Sequence, residues 1–105
     1  MVRIPTHAPP AHPGETLRED YLPDLRLTQQ QLAARLGISF RRVNEIVNEK
    51  RRITLDTAMR LGRLFGQSPQ FWLNLQLGWD VYHARSPAAA EIEQIEPMEI
   101  SAAGG

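Results

Sequence analysis

The sequence predicts an all-α fold: five helices between an extended N-terminal arm and a flexible C-terminal tail. Apolar residues recur at spacings of three and four along most of the chain. Capping residues or prolines stand where such segments would begin, and glycine or proline where they would end. No segment alternates convincingly at a period of two, so no sheet is expected. With 105 residues the chain has the length of one domain, divided as an arm over 1–13, a helical domain over 14–85 and an acidic tail over 86–105.

The opening VRIPTHAPPAHPG carries four prolines, each fixing φ and lacking an N–H, so an extended arm is expected. A first helix begins around Pro13 to Glu15, with Glu15 suited to the helix dipole. Leu17, Tyr21 and Leu22 form its buried side, and Pro23 is expected to stop it. Thr28 caps a second helix with Leu32, Ala33 and Leu36 on one face and Gly37 at its end. Ser39 caps a third, whose apolar stripe is Val43, Ile46 and Val47. Thr54 caps a fourth, with Asp56 in its first turn, Ala58, Leu61, Leu64 and Phe65 facing inward, and Gly66 closing it. Ser68 followed by Pro69 opens a long fifth helix to about Arg85, ended by Pro87. The Ala/Glu-rich remainder is expected to be mobile, with Ile92, Ile95, Met98 and Ile100 available to dock.

Net charge is zero but unevenly spread. Positions 35–63 hold eight bases against three acids, and positions 86–105 hold four glutamates and no base. A basic middle points to a polyanionic partner. The chain has no cysteine, which excludes disulfides, thiolate chemistry and Cys-based zinc sites. His7, His12 and His83 lack metal-ligand spacing, no phosphate-binding loop or GxSxG appears, and Asp80 and His83, one turn apart, have no nucleophile nearby in sequence. No metal, no cofactor and no enzymatic activity are expected. Without a membrane-length apolar run or a secretory signal, a cytoplasmic, nucleoid-associated location and no membrane partner are expected.

The stretch TQQQLAARLGISFRRVNEIVNEKRRIT places two short helices about Gly37-Ile38-Ser39, the pattern of a helix-turn-helix. Ala33 lets the helices cross closely, Gly37 takes the positive φ of a tight turn, and Leu32, Leu36, Ile38, Val43 and Ile46 fill the angle between them. On a wheel of 100° per residue, Arg41, Glu45 and Asn48 lie opposite the buried stripe, flanked by Arg42 and Asn44. Arginine and asparagine make bidentate contacts with guanine and adenine in the major groove. Ser39 and Phe40 sit at the N-terminal end, which enters the groove first. Phe40 either touches a thymine methyl or covers the core edge; Glu45 either accepts from cytosine N4 or pairs with a nearby arginine. Thr28 and Gln29, at the start of the preceding helix, suit a phosphate, and Lys50, Arg51 and Arg52 are candidate backbone clamps.

HPGETLREDYL, TQQQLAARLGIS, RVNEIVNEKRRIT, DTAMRLGRLFG and SPQFWLNLQ, taken in order, resemble HigA-type antitoxins of addiction modules within the lambda-repressor-like helix-turn-helix family. The resemblance runs from about Arg3 to Arg85. It implies a five-helix lambda-repressor-like DNA-binding domain, a homodimer, repression of its own operon and neutralisation of a HigB-type toxin, a RelE-like ribonuclease that cuts mRNA. Phe40 departs from the short polar residue common at its position. Two further readings stand beside this one: a solitary phage- or plasmid-type repressor without a toxin, and a protein-interaction module that no longer binds DNA.

The fifth helix carries apolar residues on two sides. Phe71, Leu75, Gly78 and Tyr82 form one stripe, with Trp72 and Trp79 at its margin; Leu73, Leu77 and Val81 form another. A monomer's surface helix needs one apolar side. The second is covered either by a partner or by the chain's own arm, first helix or tail. The dimer reading takes Trp72, Leu73, Leu77, Trp79 and Val81 as its interface. Energetics favour it: two good base contacts give roughly 2–6 kcal/mol of discrimination, and specific sites need about 4–10 kcal/mol. A palindromic double-stranded operator with half-sites roughly 34 Å, or a multiple of that, apart follows.

Overall fold

The structure, a computed structural model, describes residues 10–84 and 88–100. The arm's first nine residues, with His7, and the expected helix stop at Pro87 lie outside them. Among the described residues all regular structure is helical, as expected, and no helix is long and apolar enough to cross a membrane. Helix α1 runs through three consecutive segments, Pro13–Thr16, Leu17–Tyr21 and Leu22–Leu25. It is followed by α2 (Gln29–Leu36), α3 (Phe40–Val47), α4 (Leu55–Phe65), α5 (Pro69–Tyr82) and a short α6 (Ala89–Glu93).

The helix starts follow the capping chemistry. Thr28 and Gln31 form a reciprocal capping box, the Gln31 N–H donating to the Thr28 hydroxyl at 3.0 Å and the Thr28 N–H to the Gln31 side chain at 2.9 Å. Ser39, Thr54 and Ser68 cap α3, α4 and α5 as predicted. His12 caps α1: its Nδ1 accepts the Gly14 N–H at 2.8 Å, so the ring is neutral at that nitrogen, and burial holds its pKa below the ordinary histidine value.

Pro23 does not stop α1. The segment before it is a π-turn, in which the Leu22 N–H reaches back to the Leu17 carbonyl. The wider turn relieves the clash that a proline ring normally makes with the carbonyl four residues earlier. The helix ends instead at Arg26, in the left-handed region with φ 54°. At the other end of the domain, α5 stops at Tyr82, before Arg85, which is outside the described residues. Helix α6 is regular structure that the sequence reading did not assign; Ile92, Ile95, Met98 and Ile100 around and beyond it are all exposed.

Helices α2 and α3 bury the predicted faces: Leu32, Ala33 and Leu36, then Val43, Ile46 and Val47. Ile53, Ala58 and Leu61 complete the centre with Leu17. Trp72, fully buried, closes it from α5. Its ring centroid lies 5.1 Å from that of Tyr21, and its indole N–H donates to Gln67 at 2.8 Å. Trp72 is therefore a core residue, which corrects its assignment to a dimer interface. The inward face of α5 is also rotated from the expected stripe, because Trp72 and Gln76 point in while Phe71 and Tyr82 are exposed. The large indole and its satisfied N–H outweigh the smaller apolar residues in choosing that face. Gln76, a buried polar side chain, is satisfied by the Ile53 N–H at 2.6 Å and by donation to Asp80 at 3.0 Å. It pins the segment after α3 to α5.

Gly14 is buried where α1 meets the end of α3, so closely that a Cβ would lie 1.7 Å from the Ile46 carbonyl oxygen. Beside it, Arg18 donates to the Val47 carbonyl and pairs with Glu49 at 3.2 Å. Backbone contact and guanidinium together clamp the C-terminal half of α3 to α1.

Candidate nucleic-acid interface

Helices α2 and α3 meet at Gly37, whose φ of 72° supplies the turn. The buried stripe of α3 turns the opposite flank outward. Arg41, with its side chain 85% exposed, and Asn48 stand on the surface, and Phe40 has about half of its own surface open. Asn44 donates to Gln29 at 2.9 Å and Asn48 to Asn44 at 3.2 Å, which strings the start of α2 to the flank of α3. Thr28 stands at the head of α2 with its hydroxyl committed to the capping box, and Ser39 likewise uses its hydroxyl to cap α3.

Glu45 takes the second of its two readings: Arg51 at 2.7 Å and Arg41 at 3.0 Å both pair with it. Hydrogen bonds from Arg51 and then Arg41 hold its carboxyl below the usual carboxylate range. Arg41 thus stays outward but oriented. Lys50 is exposed just past α3, and Arg52 pairs with Asp80 at 2.8 Å while remaining mostly exposed. Asp80 therefore bonds Gln76 and Arg52, and His83 approaches the Trp79 carbonyl instead.

Arg42 is drawn away from the others. Its guanidinium turns back to α4, donating to Asp56 at 2.8 Å and to the Thr57 hydroxyl at 2.6 Å. Asp56 also accepts from Arg60 at 2.9 Å, and Arg60 reaches the Leu36 carbonyl at 2.8 Å. Sequence reasoning did not single out this connection. Asp56 and Arg60, four apart on one helix, were a legible pair; the link from Arg42, fourteen residues away from Asp56, had no local signal.

On α5, Leu77 and Val81 are 60% and 67% exposed, one turn apart, with half-buried Leu73 in line. Trp79 is half-buried between His12 at 5.0 Å and His83 at 3.8 Å. The outward stripe of α5 is thus Leu73, Leu77 and Val81.

Two capped helices crossing at a left-handed glycine, the second presenting a polar, basic flank, define a helix-turn-helix domain. The chain belongs to the HTH_3 family, the Xre-like helix-turn-helix proteins, whose model matches residues 17–72. Several of its homologues and structural neighbours are HigA antitoxins. It is 52% identical over 73 residues to virulence-associated protein I of Dichelobacter nodosus, covering 70% of this chain and 68% of that one. The Pseudomonas aeruginosa antitoxin HigA, solved with the higBA promoter, is 42% identical with a TM-score of 0.76, covering 86% of this chain and 99% of its own. A HigA-family addiction-module antidote protein from Coxiella burnetii is 41% identical with a TM-score of 0.76, covering 87% and 100%. Both of the solved relatives are described as antitoxins or antidotes.

Proposed function

We propose that this chain is a DNA-binding antitoxin of the HigA type. It dimerises through Leu73, Leu77 and Val81 with Trp79 at the margin, reads a palindromic operator with α3, represses its own toxin–antitoxin operon and neutralises a HigB-type, RelE-like toxin that cleaves mRNA. The observation that carries this reading is the outward flank of α3, where Arg41 and Asn48 stand clear of the core. Their side chains match guanine and adenine edges. The head of α2, with Thr28 and Gln29, and the segment Lys50 to Arg52 take phosphates. The relative solved with the higBA promoter supports the DNA half of the reading. The toxin half rests on the HigA likeness, and a small basic ribonuclease frame beside the gene distinguishes an antitoxin from a repressor acting alone.

Titration of the chain against its own promoter over a salt series tests the DNA reading. Affinity falls steeply with salt because each neutralised phosphate releases about 0.9 counterion. Lys50→Ala and Arg52→Ala weaken operator and unrelated duplex alike, and each lowers the salt slope by about 0.9. Salt-independent binding, or none, contradicts the reading and favours a protein-interaction module.

A further inference from the structure

The buried contacts of α3 begin at Val43 and continue at Ile46 and Val47. Its C-terminal half is clamped by Gly14 and Arg18 of α1. The N-terminal end enters the groove first in this motif. It has no comparable packing: Phe40 and Arg41 are exposed. Besides the Asn44–Gln29 bond to α2, its lateral tie to the body is the guanidinium of Arg42, held on α4 by Asp56 at 2.8 Å and by the buried Thr57 hydroxyl at 2.6 Å. The same Asp56 oxygen takes Arg60 at 2.9 Å, and Arg60 donates to the Leu36 and Gly37 carbonyls at 2.8 and 3.4 Å, at the turn into α3. One carboxylate on α4 therefore holds both the turn before the reading helix and its first turn.

We propose that Asp56 is a specificity-determining positioning residue: through Arg42 and Arg60 it fixes the rotation of the leading end of α3, and it withholds Arg42 from indiscriminate phosphate contact. This rests on the DNA-reading function proposed above. Two physical arguments support it. Asp56 is more than half exposed, and ion pairs at such sites add little to stability, so the bridge matters for position more than for folding. One guanidinium nitrogen of Arg42, Nη2, is held between two acceptors on neighbouring residues of α4, the Asp56 carboxylate and the buried Thr57 hydroxyl, which fixes where the charged end of the side chain sits. Rotating the leading turn would carry Arg41 off the base edges, while a released Arg42 would add a contact that every sequence offers equally.

The test uses the full chain and its Asp56→Asn, Asp56→Glu, Arg42→Gln and Arg42→Gln/Asp56→Asn variants. Each is titrated against the operator and a scrambled duplex of equal length at several salt concentrations, with thermal melts alongside. For Asp56→Asn the operator-to-scrambled affinity ratio falls about tenfold, the scale of one compromised base contact. Scrambled-duplex binding tightens, and its salt slope steepens by about 0.9 as Arg42 becomes available. Asp56→Glu restores the ratio, and Asp56→Asn lowers it less once Arg42 is Gln, leaving only the share carried through Arg60. An unchanged ratio in Asp56→Asn, the same loss in the Arg42→Gln background, or a collapse of the melt would each overturn the proposal. Failure of the unmodified chain to bind either duplex removes the DNA reading itself, and the proposal with it; operator binding with an unaltered ratio removes the proposal alone.

Discussion

Gly14→Ala lowers the melting temperature by roughly 12–24 °C. The alanine Cβ would stand 1.7 Å from the Ile46 carbonyl oxygen, 2.7 Å from its carbon and 3.0 Å from the Val47 Cα. All three are backbone atoms, so no side chain can swing aside. Helix α1 must move off the end of α3, which also pulls Arg18 from the Val47 carbonyl and uncovers the buried face of Leu17. Overpacking typically costs about 1–3 kcal/mol, and a clash between backbones belongs at or above the upper end. At about 3 kcal/mol, a domain of this size loses roughly 4–8 °C per kcal/mol. A thermal melt followed by circular dichroism checks the value; a shift under about 3 °C would show that the two helices do not approach as described.

The second large effect is on assembly. Leu77→Asp with Val81→Asp leaves the fold intact, because both side chains are already mostly exposed in the single chain. In the proposed dimer the same two carboxylates would be desolvated beside each other without partners, a cost that far exceeds the gain from burying two aliphatic side chains. The variant elutes as a monomer at micromolar concentration. Operator affinity falls by about 10²–10⁴-fold, since the second half-site's share of discrimination, roughly 2–6 kcal/mol, is forfeited. A variant that still elutes as a dimer, or a monomer that binds the operator as tightly as before, removes α5 from the interface.

Local chemistry made much of the fold legible. Thr28, Ser39, Thr54 and Ser68 each needed only neighbouring backbone N–H groups to cap a helix, and Gly37 needed only its own φ. The orientation of α3 was equally readable, because Val43, Ile46 and Val47 leave one solution for its buried side. Errors arose where distant residues decide. Pro23 continues α1 because a π-turn precedes it, and the turn has no sequence signature comparable to a proline's. Because α5 is apolar on several sides, its periodicity does not choose a face for Trp72; the pocket made by Tyr21, Phe65 and Gln67 chooses it. Helical spacing presents Arg42 as one of several outward bases; Asp56 and Thr57, beyond any helical spacing, turn it inward.

Within the candidate interface this distinction sorts the arginines. Arg41 is presented by the helix's own periodicity and held by Glu45, one turn on. Arg42, its neighbour, belongs to the joint between α3 and α4. Substitutions at adjacent positions are thus expected to act by different routes: one on a base contact, the other on the frame that aims it.

Arg41→Ala probes the outward flank of α3 itself, with affinity for the operator, for single-base operator variants and for a scrambled duplex measured in one series. The expected result is a loss of about 1–3 kcal/mol on the operator, relaxed preference at one symmetric pair of base positions and a much smaller change on the scrambled duplex. An equal loss on every sequence, or no loss on any, would mean that the exposed side of α3 does not meet base edges.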